Sequence, residues 1–157
     1  MTTVRADLRR VFGAYPTGVA ALAGTVGDDL VGMAANSFTT VSLEPPLVSV
    51  CVAHTSSTWP ILRESARIGI SVLGADQEHV SRRLAARGVD RFAGVGHRRT
   101  AHGAVLLDGA AAWFECSIEQ QVRAGDHDIV IFGVHDLDIA ENVAPLVFHA
   151  STYRGLA

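Results

Sequence analysis

The stretch AWFECSIEQQVRAGDHDIVIFGV, residues 112–134, determines the fold class of this chain. Its first half alternates apolar and polar side chains with a period of two, which is typical of a β-strand with one buried and one solvated face. Gly125-Asp126-His127 interrupts the pattern, and a second apolar run continues to Val134. Two strands joined by a short glycine-containing turn form an antiparallel hairpin. The C-terminal third therefore predicts antiparallel β structure, with Val122 on the buried face and Glu115 on the solvated one.

Further strands extend this pattern toward the N-terminus. A hairpin is predicted between Val19 and Met33, with its turn at Gly27-Asp28-Asp29, and strands are predicted at residues 47–52, 68–72 and 146–148. No regular helices separate these strands, which argues against parallel βαβ units. The expected fold is mainly β, an antiparallel barrel with a few short helices on its outside, formed as a single domain over residues 1–157.

Three helices are predicted. Near the start, Val4, Leu8, Val11 and Phe12 recur at helical spacing, so an amphipathic helix should lie with its apolar face against the rest of the fold. A second helix is expected at residues 58–65, after a run of hydroxyl side chains, and a third at residues 76–87. The polar, glycine-rich residues 90–102 predict a loop.

Composition excludes several classes of function. All 13 basic residues are arginine, the acidic residues number 16, and the net charge of −3 argues against binding nucleic acid or anionic lipid through bulk charge. Without lysine the chain has no P-loop or Schiff-base lysine. The two cysteines, Cys51 and Cys116, lie in apolar runs and are expected to be buried free thiols of a reducing compartment. No long apolar segment or signal peptide is recognisable, so we expect a cytoplasmic protein without membrane contact.

The common catalytic motifs are absent. Gly94-Val95-Gly96 lacks the third glycine of a dinucleotide fingerprint, and Gly69-Ile70-Ser71 lacks the second glycine of a nucleophile elbow. The histidines follow no metal-binding spacing, and we predict no metal site. A metal-binding barrel that uses His127, His135 and His149 remains an alternative hypothesis.

Two polar clusters, residues 36–42 and residues 54–58, each follow an apolar strand. They are typical of loops in which Ser, Thr and Asn bond their own backbone. They could equally bind an anion without lysine, through hydroxyls, main-chain amides and a helix N-terminus. Residue chemistry alone leaves both interpretations open.

A series of motifs along the chain resembles one known family. In order, the motifs are Pro16-Thr17-Gly18-Val19, residues 36–48, Ser56-Ser57-Thr58, residues 90–95, Gly125-Asp126-His127 and Tyr153-Arg154. They resemble the flavin reductase-like family, the small reductase components of two-component flavin-dependent monooxygenases. The resemblance runs from Phe12 to Arg154.

The resemblance implies a split β-barrel homodimer that binds FMN or FAD, reduces it with NADH or NADPH, and delivers reduced flavin to a separate monooxygenase. The loop Asn36 to Thr39 would lie along the flavin ring and ribityl chain, Ser57 and Thr58 would bind phosphate, and the segment with Arg91 and Phe92 would close over the cofactor. The turn Gly125-Asp126-His127 would contact the nicotinamide. The full set of implied cofactor-binding residues is Thr17, Asn36, Ser37, Phe38, Thr39, Cys51, Val52, Ala53, Ser57, Thr58, Arg91, Phe92, Asp126, His127 and Tyr153. His54 departs from the basic or small residue of many relatives.

Hydride transfer from nicotinamide to flavin needs no protein nucleophile, which fits the absence of a catalytic triad. We expect His127 and Ser37 to take part most directly. Ser37 would hydrogen-bond flavin N5 or the pyrimidine edge and stabilise the charge that develops there, and His127 would position the nicotinamide or screen its diphosphate. The alternative is a non-catalytic split-barrel protein that binds flavin without turning it over.

Overall fold

The computed structural model describes residues 2–156, with side chains from residue 4 onward. The helices are α1 (Thr2–Gly13), α2 (Trp59–Leu62) and α3 (Glu78–Ala85). The strands are β1 (Thr17–Gly18), β2 (Ala20–Val26), β3 (Asp29–Ala35), β4 (Thr39–Leu43), β5 (Pro46–Ala53), β6 (Ile68–Val72), β7 (His97–Arg99), β8 (Val105–Leu107), β9 (Ala112–Ala124), β10 (His127–Ile139), β11 (Val147–His149) and β12 (Thr152–Arg154).

The main sheet has seven strands in the order β3-β2-β6-β9-β10-β5-β4, and every pairing in it is antiparallel. Strands β1, β11 and β12 form a small second sheet, and β7 pairs with β8. The mainly β, antiparallel class is therefore confirmed. The predicted hairpin between Val19 and Met33 is confirmed as β2 and β3, whose loop contains Gly27 at φ +61°.

Two apolar clusters lie on the two faces of the sheet, because alternate residues of β2 point in opposite directions. Leu22 packs into the first cluster with Ile70 and Phe132, and Ala21 and Ala23 pack into the second. Trp59, the first residue of α2, belongs to the first cluster and meets the Phe132 ring edge-on at 6.2 Å. Trp59 is therefore a core residue.

The β9–β10 hairpin dominates the fold, with 13 residues in each strand. Its two-residue loop is Gly125-Asp126, and Gly125 has φ +67° while Asp126 does not have a positive φ, as in a type II′ turn. Gln120 pairs with Ile131 and Ile118 with Phe132, which leaves Glu119 as an extra, bulged residue. Beyond the bulge, polar and apolar residues exchange faces. Gln121 therefore points inward, and its Oε1 accepts a hydrogen bond from Trp59 Nε1 at 3.4 Å.

Two expectations for β9 were therefore wrong. Val122 is 38% exposed rather than buried, because it lies beyond the bulge. Glu115 is buried rather than solvated, and its Oε1 lies 3.5 Å from Arg67 Nη1. Alternation of residue types reveals neither the bulge nor an ion pair formed with the distant residue Arg67.

The helices also differ from the sequence expectations. The four apolar side chains of α1 (Val4, Leu8, Val11 and Phe12) are between 47% and 70% exposed, so this chain does not cover the apolar face of α1. Helix α2 is only four residues long. The hydroxyl that accepts a hydrogen bond from the Trp59 amide belongs to Ser56. The expected loop at 90–102 contains strand β7 and two buried side chains, Phe92 and Val95.

Candidate functional site

A cavity of about 420 Å³ lies between the edge of β3, the start of α2 and the segment that follows α3. Four of the sequence-predicted residues line it together: Ser57, Thr58, Arg91 and Phe92. Ser57 and Thr58 arrive from the end of β5, whereas Arg91 and Phe92 come from a segment more than 30 residues later in the chain. The structure therefore brings the predicted phosphate-binding hydroxyls and the predicted closing segment to one place.

Arg91 is fixed by three hydrogen bonds. Its Nη1 donates to Thr58 Oγ1 at 2.9 Å and to the carbonyl of Gly32 at 2.8 Å, and its Nε donates to the carbonyl of Ala86 at 2.9 Å. Among residues 4–156, no carboxylate lies within 4.0 Å of this guanidinium. A half-buried cation without an ion pair, beside hydroxyls, favours a phosphate ligand.

Gly32 is a site residue that the sequence reasoning missed. The Phe92 side chain is 8% exposed and packs over this glycine, so that an added Cβ would lie 2.6 Å from Phe92 Cζ and 3.3 Å from the carbonyl oxygen of Leu22. An isolated glycine within a strand pattern is the sequence signal for such a close approach. Gly32 thus permits Phe92 to form one wall of the cavity.

The end of β5 forms a second part of the site. Val48, Val50 and Val52 point into the core, while Cys51 and Ala53 lie half-buried on the opposite face. The Val52 side chain therefore points away from the accessible face, where Val52 offers a ligand only its main chain. Cys51 and Ala53 lie on an accessible face. The expectation of a buried thiol is therefore wrong for Cys51 and confirmed for Cys116.

Ser37 is bonded to this strand. Its hydroxyl donates to the Cys51 carbonyl at 3.0 Å and accepts from the Cys51 amide at 3.0 Å. The hydroxyl proton is thus occupied, and in this structure Ser37 does not have it free to donate to flavin N5. Ser37 instead fixes the 36–38 loop beside the accessible face of β5.

The neighbouring predicted residues differ in exposure. The Phe38 ring packs against Phe114 with centroids 5.5 Å apart and joins the first core cluster. Thr39 is exposed and pairs with Ser49 at the start of β4. Asn36 is exposed at the end of β3. The 36–39 loop therefore offers Asn36 and Thr39 to a ligand more readily than Phe38.

The Gly125-Asp126-His127 turn lies next to the end of β5. His127 pairs with Ala53 across the sheet, and the His54 amide donates to the carbonyl of Asp126 at 2.9 Å. The His127 ring nitrogen Nδ1 is 2.7 Å from Asp126 Oδ1, and this hydrogen bond is the main reason that the pKa of the Asp126 carboxyl is lowered. The His54 ring is held by Asp128 at 2.8 Å. The turn thus presents an oriented, 44% exposed His127 side chain beside the accessible face of β5.

Thr17, Asn36 and Tyr153 meet around two adjoining cavities, of about 190 and 410 Å³. Asn36 lines both, Tyr153 lines the smaller and Thr17 the larger. The Tyr153 hydroxyl is bonded to Ser81 Oγ at 2.8 Å, so its position is fixed from α3. Thr17 Oγ1 is buried and has no hydrogen-bond partner in the described part of the chain. The larger cavity is also lined by Arg9 and Phe12 of α1, which the sequence analysis did not place in the site.

The histidines of the metal-barrel hypothesis are not assembled into a site. His135 Nε2 lies 2.6 Å from Ser117 Oγ, and His127 is bonded to Asp126. Within residues 2–156, no three His, Cys, Asp or Glu side chains are grouped closely enough to hold a metal ion. None of the helices in that range is long and apolar enough to cross a membrane.

Comparison with known proteins identifies the family. The model of the flavin reductase like domain matches residues 12–157. The chain is 37% identical over 150 residues to a flavin reductase of Pseudomonas putida, covering 95% of this chain and 88% of the relative. It is 35% identical over 151 residues to the reductase subunit HsaB of a Mycobacterium tuberculosis (strain H37Rv) flavin-dependent monooxygenase, covering 94% and 80%.

A solved structure shows the same fold with nucleotides bound. The NADH:FAD oxidoreductase SgcE6 of Streptomyces globisporus C-1027, in complex with NAD and FAD fragments, superposes with a TM-score of 0.92 at 37% identity, covering 100% of this chain and 95% of that one. The sequence resemblance is therefore confirmed, and the chain belongs to the flavin reductase-like family.

Proposed function

We propose that the protein reduces FMN or FAD with NADH or NADPH and supplies the reduced flavin to a separate flavin-dependent monooxygenase. Family membership supports the NAD(P)H-dependent flavin reductase activity. The observation that carries the site assignment is the Arg91 guanidinium, which lies beside Ser57 and Thr58 in the 420 Å³ cavity and has no carboxylate partner among residues 4–156. This is the place where the chain is best suited to hold the flavin phosphate.

The flavin ring fits the half-buried face formed by Cys51 and Ala53 and by the loop that Ser37 fixes to this face. Residues 53–58 connect this face to the cavity. A flavin bound here would have its phosphate at Arg91 and its ring beside β5. Asn36 and Thr39, exposed at the two ends of the loop, are placed to contact the polar parts of the cofactor.

His127 is the residue of this chain that we assign to the hydride donor. Asp126 holds its ring through Nδ1, and register places it directly beside Ala53. Flavin and nicotinamide together supply the hydride chemistry, so the protein has only to hold the two rings in contact and exclude water. In this scheme Ser37 acts as a positioning residue for the 36–38 loop.

The same proposal includes a split β-barrel homodimer formed by one domain. Several large apolar side chains are exposed on α1 and on the end of β10, among them Leu8, Val11, Leu137 and Ile139. A second copy of the chain would cover such a surface. Sedimentation equilibrium tests this part: the mass of two chains supports it, and the mass of one chain contradicts it. The free thiols Cys51 and Cys116 support a cytoplasmic location.

The deciding experiment is anaerobic reduction of excess FMN or FAD by NADH or NADPH with catalytic amounts of protein, followed by the loss of oxidised-flavin absorbance. Multiple turnovers with any of the four pairs support the reductase, and the rates establish both cofactor preferences. Flavin binding without turnover for all four pairs would contradict it and favour the non-catalytic flavin-binding alternative. A Ser117→Ala variant, which loses a hydroxyl bonded to His135 away from the cavity, is the matched control for hydroxyl variants inside it.

A further inference from the structure

Helix α1 carries a basic face that the proposed chemistry has not yet used. Arg5, Arg9 and Phe12 follow one another at intervals of four and three residues, so they lie on one face of the helix. Val4, Leu8 and Val11 form an adjacent apolar face in the same way. The helix thus separates a cationic face from an apolar one, and most of it precedes residue 12, where the family match begins.

The basic face borders the site. Arg9 and Phe12 line the 410 Å³ cavity together with Thr17 and Asn36, two residues already assigned to cofactor binding. Asn36 directly precedes Ser37, which is bonded to β5. The cavity therefore adjoins the loop that Ser37 fixes to β5. Its volume is in the range of small-molecule sites.

The C-terminal end of α1 is bonded to another part of the site. At its C-terminal end, the Gly13 carbonyl accepts a hydrogen bond from the Ala150 amide at 2.8 Å. Arg5 lies about 12 Å along the helix axis from Gly13. The basic face therefore continues from Arg9 at the cavity wall by one helical turn to Arg5.

The two arginines are free to bind an anion. Within residues 4–156, no carboxylate lies within 4.0 Å of either guanidinium, whereas Arg10 on another face approaches Asp7 at 4.0 Å. Thr17 also lines the cavity, and its buried Oγ1 has no partner among the described residues. Two cations four residues apart, the Asn36 amide and the Phe12 ring match the phosphates and base of a dinucleotide.

We propose that Arg5 and Arg9 bind the phosphate groups of the nicotinamide dinucleotide, so that α1 is a specificity element for the hydride donor. This inference rests on the proposed reductase function. The flavin phosphate already has its own cation, Arg91, in the separate 420 Å³ cavity. A diphosphate at α1 could belong to NAD(P)H or to FAD, and the experiment below distinguishes these two sources.

The test compares steady-state kinetics of the Arg5→Gln/Arg9→Gln double variant with wild type and with Arg10→Gln as the matched control. With FMN as acceptor, which has no diphosphate, we expect the double variant to raise the KM for NADH about tenfold and Arg10→Gln to change it less than about twofold. The KM values for FMN and FAD should stay unchanged. The NADH KM of wild type should also rise more steeply with salt than that of the variant.

Each other result has a defined meaning. An NADH KM equal to that of wild type would overturn the inference, and so would a rise confined to the KM for FAD, which would assign the two arginines to the flavin. If wild type itself oxidises neither NADH nor NADPH with either flavin, the proposed function fails, and this outcome is distinct from an active wild type with an unaffected variant. Arg9→Gln alone, with an unchanged thermal transition and elution volume, keeps the test valid if the double variant folds poorly.

Discussion

The Arg91 guanidinium donates to the Thr58 hydroxyl at 2.9 Å, although 33 residues separate the two in the chain. This bond joins the segment that follows α3 to the segment that follows β5. It leaves the Thr58 hydroxyl proton free for an incoming acceptor, since the hydroxyl oxygen accepts from Arg91. A phosphate in the cavity would find a cation and a donor already in place, with little reorganisation required.

The first prediction concerns the hydroxyls of this cavity. Changing Ser57 and Thr58 together to Ala should raise the dissociation constant for FMN about tenfold or more, because a hydrogen bond to a charged group contributes about 1.5–3 kcal/mol. Fluorescence titration of FMN measures the constant. Ser117→Ala should leave it unchanged. FMN affinity in the double variant equal to that of wild type would remove Ser57 and Thr58 from the phosphate site.

The second prediction concerns the close contact beneath Phe92. Gly32→Ala should lower the free energy of unfolding by about 1–3 kcal/mol, because its Cβ would lie 2.6 Å from Phe92 Cζ. Urea denaturation measures the loss. The Gly32→Ala/Phe92→Leu double variant should lose less than the sum of the two single variants, since the shorter side chain relieves the contact. Additive losses would show that the two residues are not coupled.

The third prediction separates His127 from flavin binding. His127→Gln should raise the KM for NADH several-fold while the KM for FMN stays unchanged, because His127 is assigned to the hydride donor. Asp126→Asn should also raise the KM for NADH, because it weakens the hydrogen bond that orients the His127 ring. The lowered pKa keeps Asp126 ionised at neutral pH, so substitution rather than mild acid is needed to remove its charge. His135→Gln is the control, and a change confined to flavin affinity would contradict the assignment.

The fourth prediction is a pH dependence of stability. Burial, followed by the charge of Glu115, raises the pKa of the Cys116 thiol from 9.0 to about 12. The unfolded chain therefore releases this proton before the folded chain does, so stability is fully present below pH 9 and decreases as pH rises above it. The slope from this one group is about 1.4 kcal/mol per pH unit. Urea titrations should show a shallower decline for Cys116→Val, and equal slopes would contradict the assignment.

Local patterns predicted much of the fold. Residues 112–134 indicated the long hairpin because its two strands are joined by a two-residue loop, and local spacing is sufficient to recognise such a unit. The alternation predicted the wrong faces beyond Glu119, because an extra residue in one strand can be recognised only from the pairing of that strand with its neighbour. Glu115 was misplaced for a related reason: its partner, Arg67, lies on another part of the chain.

The candidate site was predictable only in part. Ordered motifs pointed to Ser57, Thr58, Arg91 and Phe92, and the structure places all four around one cavity. Motifs do not reveal which atoms are already bonded, and the Ser37 hydroxyl is occupied by Cys51. The role of Gly32 likewise depends on a side chain 60 residues away.

The bond from Arg91 to the Gly32 carbonyl also bears on solubility. Strand β3 is an end strand of the seven-stranded sheet, and the outward carbonyl groups of an end strand can recruit a strand from another molecule. Arg91 occupies one of these carbonyl groups, and Phe92 covers the backbone beside it. The segment that forms the cavity therefore also shields the sheet edge against self-association, so selection for ligand binding and selection against aggregation act on the same two side chains.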